Sequence, residues 1–137
     1  MMYAFMEKAA SLVEEVETIV VNSIDEGGYP NAKQMYKMKH DGLKTFWLST
    51  NTSSMRVHHF IMNPKASLYF HGNVSGLMLV GNMEICSDRK SRELLWNEFS
   101  ETYYPLGIDD PDYCVLKFTA QTGDFYHKMN KHIFDIE

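Results

Sequence analysis

The spacing of apolar side chains changes several times along the chain, and the first clear period is helical. Within residues 3–17 the apolar side chains recur every three or four positions, at Phe5, Ala9, Leu12, Val13 and Val16. Glutamate, lysine and serine side chains fill the positions opposite them. This spacing predicts an amphipathic helix that turns one face to a core.

Short segments rich in β-branched and aromatic residues follow, separated by glycine, proline and aspartate turns, and these predict strands. The segments TIVVNSI and NAKQMYKMK flank the turn DEGGYP, and Asp41-Gly42 forms a second turn before KTFWLST. We expect these three strands to pair antiparallel, one after another, as a meander. Further strands are predicted at ASLYFHG, GLMLVGNMEICS, YCVLKFTA and GDFYHK.

Two more helices interrupt the strands. Residues 53–63 carry apolar side chains at helical spacing, and Pro64 ends that helix because proline cannot continue it. Asp88 is a suitable N-cap for the next helix. Its predicted buried face consists of Leu95, Trp96, Phe99 and Tyr103.

The order of these elements predicts the fold class. There is no alternation of parallel strands with helices and no GxGxxG motif after a strand, which excludes a Rossmann domain. Six or seven short strands joined mostly by hairpins favour a closed or nearly closed antiparallel barrel. We therefore predict a mainly β protein with flanking helices, forming one domain over residues 1–137.

Composition and charge narrow the partners. The formal net charge of −5 argues against a general nucleic-acid binder, which would carry a basic face. The N-terminal sequence lacks a basic segment followed by an apolar one, and no apolar run approaches the ~20 residues of a membrane helix. We expect a cytoplasmic protein that does not bind membranes, with Cys86 and Cys114 as reduced core thiols.

Acidic residues are unevenly distributed. The chain contains 18 Asp and Glu, yet none of them lies between Gly42 and Met83. One explanation is that buried strands simply lack charges. The other is that this part of the chain binds an anion, which neighbouring carboxylates would repel.

Hydroxyl side chains crowd the segment STNTSS, residues 49–54. If Ser53 caps the helix that follows, Arg56 lies in its first turn, where the free N–H groups and the dipole already favour anions. Those N–H groups, the guanidinium and five hydroxyls could together bind phosphate. The hydroxyls are those of Ser49, Thr50, Thr52, Ser53 and Ser54. The alternative, in which these side chains only cap the helix and Arg56 points to solvent, remains open.

Three segments resemble the pyridoxamine 5′-phosphate oxidase-related flavin proteins, in particular their short general-stress-protein branch. They are PNAKQM, FWLSTNTSSMRVHHFIMNP and VGNMEI, and the similarity spans roughly residues 5–127. The resemblance implies a split antiparallel barrel of six or seven strands with peripheral helices. It also implies FMN as the cofactor and a homodimer that holds FMN at the subunit interface.

The resemblance further implies roles for individual residues. Arg56 falls where the family places a phosphate-binding basic residue, and Ser54 matches the serine just ahead of it. Ser49 and Thr50 fall at the strand end that contacts the ribityl phosphate. A second group is implied to lie along the flavin ring: Lys33, Gln34 and Met35, with Tyr126 either beside the flavin or an ordinary barrel residue.

Two departures from the family pattern limit the expected function. Met55 stands where relatives often have a second basic residue, and losing one charge-assisted hydrogen bond costs roughly ten- to a hundred-fold in affinity. The C-terminal Arg/His segment of the vitamin-oxidising enzymes is missing, so we do not expect pyridoxamine 5′-phosphate oxidase activity. We expect a flavin-dependent oxidoreductase of unknown substrate, with no catalytic residue assigned. The alternatives are a non-catalytic flavin-binding stress protein and a haem- or deazaflavin-binding relative.

The histidines do not form a metal motif. His58 and His59 are adjacent, so on a helix their side chains point about 100° apart, and no HxxxH or HExxH spacing occurs. We predict no metal site. If a haem bound instead of a flavin, its axial ligand would be His58, His59 or His127.

Overall fold

Strands make up most of the molecule, and its helices are short. The computed structural model describes residues 3–137. In chain order its elements are α1 (Ala4–Glu15), β1 (Thr18–Ile24), β2 (Pro30–Tyr36), β3 (Lys39–Asp41), β4 (Thr45–Asn51), α2 (Met55–Met62), β5 (Lys65–His71), β6 (Ser75–Cys86), α3 (Arg89–Leu95), α4 (Ser100–Tyr103), β7 (Tyr113–His127) and β8 (Asn130–Asp135). The predicted mainly β class with flanking helices is confirmed.

All eight strands belong to one curled antiparallel sheet. Seven of them follow the order β2-β1-β5-β6-β7-β4-β3, and β8 pairs with β7 beside this path. The side chains of the inner face form the main core together with α1 and α2, and they include Val21, Leu48, Leu79 and Phe118. A second cluster lies on the outer face, where α3 covers Tyr113 and Val115.

The predicted meander is wrong. β2 and β3 follow each other along the chain but lie at opposite ends of the path, because β1 pairs with β5 and β4 pairs with β7. Lys37 lies between β2 and β3, and its contacts explain why the chain changes direction there. Its backbone N–H donates to the Glu17 carbonyl at 2.9 Å, and its ammonium group donates to the carbonyls of Val13 and Glu14 at the end of α1.

The last predicted strands are also organised differently. YCVLKFTA and GDFYHK form one continuous strand, β7, and the residues after them form β8. Gly123 lies at the junction of the two segments. A side chain there would place its Cβ 2.5 Å from the ring of Phe134, so glycine lets β8 pack its aromatic side chain against β7.

The third helix begins as predicted and ends early. The Asp88 carboxylate accepts a hydrogen bond from the Ser91 N–H at 3.1 Å, which confirms the N-cap. The helix stops at Leu95 because Trp96 adopts an extended conformation, and α4 starts a new turn after Asn97. Phe99 and Tyr103 therefore do not continue the buried face of α3. They are 68% and 67% exposed, which contradicts their predicted burial.

Cys86 and Cys114 are free and buried, as predicted for core thiols. Among residues 3–137, no helix is both long enough and apolar enough to cross a membrane.

Candidate functional site

The polar segment after β4 leads directly into α2, and its cap is one residue later than predicted. Ser54, not Ser53, is the N-cap, and its hydroxyl accepts a hydrogen bond from the Val57 N–H at 3.4 Å. The eight-residue helix has no acidic residue in its first turn. Arg56 lies in that turn, as predicted, so a cation occupies a position where the helix dipole favours an anion.

A carboxylate from a distant loop occupies part of the predicted anion site. Asp112 accepts hydrogen bonds from the Ser53 N–H at 2.9 Å and from the Asn51 side-chain amide at 2.6 Å. The Thr52 N–H donates to the backbone carbonyl of Asp112 at 2.7 Å. The donors of residues 51–53 thus contact Asp112 and its loop, and the role of Ser53 in binding an anion stays a prediction.

The hydrogen bonds to Asp112 also affect its ionisation. The Asn51 amide and then the Ser53 N–H hold the pKa of the Asp112 carboxyl below its usual value. The group is therefore charged at neutral pH and ties the start of α2 to the loop before β7.

Ser49 and Thr50 lie on opposite faces of β4, because successive side chains of a strand alternate. Thr50 is buried on the inner face, and its hydroxyl donates to the Ser54 hydroxyl at 3.4 Å. Ser49 lies on the outer face, where it borders a cavity that also contacts Asn97 and Tyr103. The structure thus brings Thr50, Ser54 and α2 together, and Thr50 also borders the cavity beside Ser49.

Arg56 is half-buried and has no ionic partner among the described residues. Its Nε is fully buried and forms no hydrogen bond within residues 3–137. Desolvation by burial lowers the pKa of the guanidinium, though it remains charged at neutral pH. A buried donor without an acceptor is costly, which makes this residue the strongest indication of a ligand.

The residues predicted to follow the flavin ring lie on β2. Lys33 pairs with Val21 on the inner face and is exposed, while Met35 on the same face packs against the core. Gln34 points to the outer face, and its amide donates to the Thr18 hydroxyl at 3.1 Å. The inner face also carries Ser23, which hydrogen-bonds His59 of α2, so Lys33 and α2 share one side of the sheet.

Tyr126 lies far from these residues within one chain. It pairs with Gly76 and Lys131 near the C-terminal end of β7 and is exposed on the outer face. Thr50 pairs with Cys114 at the other end of β7. Twelve residues of strand between Cys114 and Tyr126 correspond to roughly 40 Å. A single chain therefore does not bring Tyr126 to α2.

The three histidines considered as haem ligands already have partners. His59 is buried, and its Nδ1 lies 2.8 Å from the Ser23 hydroxyl. His58 pairs with Glu26 at 2.8 Å on the surface, and His127 contacts the Ser75 hydroxyl at 2.5 Å. Among residues 3–137, no three His, Cys, Asp or Glu side chains converge as metal ligands.

Family comparison agrees with this arrangement of strands and helices. The family model described as pyridoxamine 5′-phosphate oxidase matches residues 5–127. The chain belongs to the pyridoxamine 5′-phosphate oxidase family. The resemblance drawn from the sequence is thereby confirmed. No curated protein sequence matches the chain significantly.

Solved structures of related proteins resemble this family member along most of its length. A protein from Clostridium acetobutylicum, related to general stress protein 26 of Bacillus subtilis and of the pyridoxinephosphate oxidase family, is 49% identical with a TM-score of 0.86; the match covers 96% of this chain and 94% of that one. The predicted general-stress-protein branch is thus confirmed.

Two more distant structures show the fold alone. An FMN-binding, pyridoxamine 5′-phosphate oxidase-related protein from Nostoc punctiforme is 13% identical, with a TM-score of 0.73 over 99% of this chain and 98% of that one. A heme binding protein from Mycobacterium smegmatis is 14% identical, with a TM-score of 0.78 over 98% of this chain and 59% of that one. Together with the closer relative they confirm the split-barrel fold.

Sequence reasoning missed two features around the site of this family member. Asp112 lies 59 residues after Ser53 in the chain, and its loop, DDPD, carries no local signal of contact with α2. The cavity beside Ser49 was missed because Phe99 and Tyr103 were assigned to a buried helix face. The only signal that could have indicated the exposure of Phe99 and Tyr103 is an end of the helix after Leu95, at Trp96-Asn97.

The depressed pKa of Asp112 predicts a specific pH dependence of stability. The ionised carboxylate stabilises the fold above its unfolded pKa of about 4, and this contribution is lost as the pH falls through the lower folded pKa. Asp112→Asn should therefore lower the melting temperature at pH 7 and have a smaller effect at pH 3. Thermal unfolding followed by circular dichroism would measure both values.

Asp135→Asn is the matched control, since Asp135 is exposed on β8, and it should not change the melting temperature. An equal loss for Asp112→Asn at both pH values would contradict the assignment.

Proposed function

We propose that the chain binds FMN with its phosphate at the start of α2 and uses it as a flavin-dependent oxidoreductase. The observation that carries this proposal is Arg56, whose Nε is buried without a hydrogen-bond partner among the described residues. A phosphate dianion beside this guanidinium would compensate its charge and form charge-assisted hydrogen bonds. Membership of the pyridoxamine 5′-phosphate oxidase family and an FMN-binding protein of the same fold support the choice of ligand.

The hydrogen-bond geometry defines the proposed phosphate site more narrowly than the sequence did. Asp112 faces the loop of residues 51–53 and makes no ion pair with Arg56. The Val57 N–H already donates to Ser54. The groups left for a phosphate are the N–H groups of Met55 and Arg56, the Arg56 guanidinium and the hydroxyls of Ser54 and Thr50. Met55 is exposed and adds no charge, so Arg56 supplies the only cation of the first turn.

The flavin ring would lie along β2 on the side of the sheet that α2 contacts. Lys33 is exposed on that face, and a lysine near the ring would favour the negative charge that develops on reduction. FMN would supply hydride chemistry when bound. The protein would position it and exclude water, and no side chain is assigned as a general acid or base.

We further propose a homodimer whose partner covers the outer face of the sheet. The outer face of the central strands exposes a group of large side chains that a partner would cover: Tyr69, Met78, Val80 and Tyr126. Tyr69, Met78 and Val80 are neighbours across β5 and β6. Exposed apolar patches of this kind commonly mark protein interfaces. A Tyr126 side chain beside the flavin would have to come from the partner, because Tyr126 of the same chain lies far from α2.

Haem is the less favoured ligand. The candidate axial ligands His58, His59 and His127 each contact another side chain within 2.8 Å. The haem-binding structure shares only the fold at 14% identity. None of these three candidate axial ligands is therefore free to face a cofactor in the way that Arg56 is.

Replacing Arg56 tests the phosphate site. Arg56→Ala should weaken FMN binding about ten- to a hundred-fold, because it removes a charge-assisted hydrogen bond to the phosphate. Fluorescence titration of FMN with the purified protein measures the affinity. Arg89→Ala is the matched control, because Arg89 is exposed and pairs with Glu93 and Asp109 on the surface. Equal FMN affinity for Arg56→Ala and wild type would refute the assignment.

Anaerobic reduction separates an oxidoreductase from a protein that only holds flavin. Adding NADH or NADPH to the FMN-loaded protein without oxygen should bleach the visible flavin absorbance over the time course of turnover. Free FMN at the same concentration is the control. Bleaching no faster than that of free FMN would favour the non-catalytic alternative.

Charge on the outer face tests the dimer. Met78→Glu should shift the protein towards monomer in light scattering, because it places a carboxylate in the proposed apolar interface. Ile61→Glu is the control, since Ile61 is exposed on α2, away from the outer face, and should leave the assembly unchanged. A wild-type protein that is already monomeric would rule out the dimer.

A further inference from the structure

A cavity of about 360 Å³ lies where the start of α1 meets the hairpin of β7 and β8. It is on the α1 side of the sheet, because Phe125 and His127 line it and Tyr126, between them in β7, faces the opposite side. None of the residues assigned to the phosphate or to the flavin ring lines this cavity. It is therefore separate from the proposed flavin site within one chain.

The described residues that line the cavity include basic side chains and no acidic one, although the chain contains 18 Asp and Glu. The basic residues are Lys8, His127 and His132. Lys8 makes no ion pair within residues 3–137, and neither does Lys128, which follows His127 at the hairpin turn. Glu7 lines an adjoining groove instead. The two lysines thus bring positive charge to a cavity whose described walls supply no counter-charge.

The ionisation of His127 reflects this positive charge. Its Nδ1 lies 2.5 Å from the Ser75 hydroxyl, which fixes the position of the ring. Partial burial, and then repulsion from Lys8 and Lys128, hold the pKa of His127 below its usual value. The two lysines therefore create a positive potential at the ring, and a bound anion would offset it.

The turn between β7 and β8 holds this side of the cavity in place. Lys128 and Met129 have φ values of 46° and 71°, in the left-handed region that favours glycine and asparagine. The Lys128 N–H donates to the Val74 carbonyl at 3.1 Å, which ties the turn to the neighbouring hairpin. His127 and Asn130, which pair across the turn, line the cavity from fixed positions. A rigid wall lowers the cost of ordering a site when a ligand binds.

Near-parallel rings form the opposite wall. Phe5 stacks on His132 with centroids 4.2 Å apart and planes within 4°, and Tyr3 stacks on Phe5 at 5.7 Å and 7°. Phe134 packs against Phe5 at 5.5 Å and fixes it on β8. Tyr3 is 59% exposed, so its ring can stack on a further ring.

We propose that this cavity binds a small aromatic carboxylate, with the carboxylate beside Lys8 and His127 and a single ring against Tyr3 and Phe5. Its volume lies at the lower end of the range of about 300–1,000 Å³ that is usual for small-molecule sites, which fits one ring and an acid group. The unpaired lysines favour an anion over a neutral molecule, and the parallel rings favour an aromatic anion over an aliphatic one. The proposal does not depend on flavin binding.

Three probes of similar size test the preference. In NMR titrations at pH 7, benzoate should bind about tenfold more tightly than uncharged benzamide and about two- to tenfold more tightly than cyclohexanecarboxylate, which lacks the aromatic ring. The backbone amide shifts that change with benzoate should cluster in residues 3–8 and 125–132. Equal binding of benzamide or of cyclohexanecarboxylate, no binding of benzoate, or shift changes centred elsewhere would overturn the proposal.

A lysine variant locates the charge that the carboxylate contacts. Lys8→Gln should weaken benzoate about tenfold and leave benzamide unchanged, and the exposure of Lys8 makes misfolding a small concern. Lys90→Gln is the matched control, because Lys90 is exposed on α3 and outside the lining, and it should bind like wild type. An unchanged benzoate affinity for Lys8→Gln would contradict the assignment.

A bound carboxylate should also change the ionisation of His127. Saturating benzoate should raise the pKa of His127 by roughly half a unit or more, because a nearby negative charge stabilises the imidazolium. The pH titration of its ring-proton NMR signal measures the shift, with His40 on the far side of α1, next to Glu14, as the internal control. The charged and titratable groups around His127 are Glu7, Lys8, Glu15, Lys128 and His132. A His127 pKa that does not rise would rule out a carboxylate beside this ring.

The benzoate titration, repeated with saturating FMN, separates this inference from the proposed function. Unchanged affinity with the same amide shifts supports a second, independent site. Competition between benzoate and FMN would overturn the proposal by placing benzoate in the flavin site. If the protein binds FMN and not benzoate, only this inference fails; if it binds benzoate and not FMN, only the proposed function fails.

Discussion

The pairing of β4 with β7 is the constraint on which the rest of the site depends. Its antiparallel register sets Thr50 against Cys114 and Ser49 against Val115, so one side chain enters the barrel and the next faces outwards. The same register brings the loop before β7 alongside residues 51–53, where Asp112 can bind their donors. A slip of one residue would exchange the two faces, and the candidate phosphate site would lose the Thr50 hydroxyl.

Two charged groups then have different roles at the polar segment. Asp112 stabilises the structure, and Arg56 is available to a ligand. Asp112 satisfies the loop donors and fixes the direction in which the chain enters α2. Arg56, one turn further on, has a buried Nε without an acceptor among the described residues. The protein thus provides an acceptor for the donors at the start of this segment, and it provides none among the described residues for the buried Nε of Arg56. An unsatisfied buried donor is destabilising unless something binds it, which is why this residue, and not the row of hydroxyls, supports the anion proposal.

Local patterns predicted the local structure, and distant pairing set the rest. The apolar stripe of α1, the Asp88 cap and the position of Arg56 in the first turn of α2 depend on neighbours within a few residues. The strand order could not be deduced in the same way, because Lys37 turns the chain by contacts with α1 that hairpin signals do not encode. The contact between Asp112 and Ser53 spans 59 residues and leaves no periodic trace in the sequence. The family resemblance supplied the barrel type, which the hairpins alone left between closed and nearly closed.

Charge decides on which side of the sheet this protein favours a phosphate. A phosphate is favoured on the inner side of the sheet, where the guanidinium lacks a partner, and disfavoured on the outer side, where Asp112 lies behind Asn51. Thr50 lies at the boundary between the two sides, because it is buried, its hydroxyl donates to Ser54, and it also borders the cavity beside Ser49. A phosphate at the start of α2 and a ligand in that cavity would therefore meet at the same strand end. The single cation in the first turn of α2 suits this preference for the inner side, since a second one near Asn51 would weaken the discrimination against anions on the outer side.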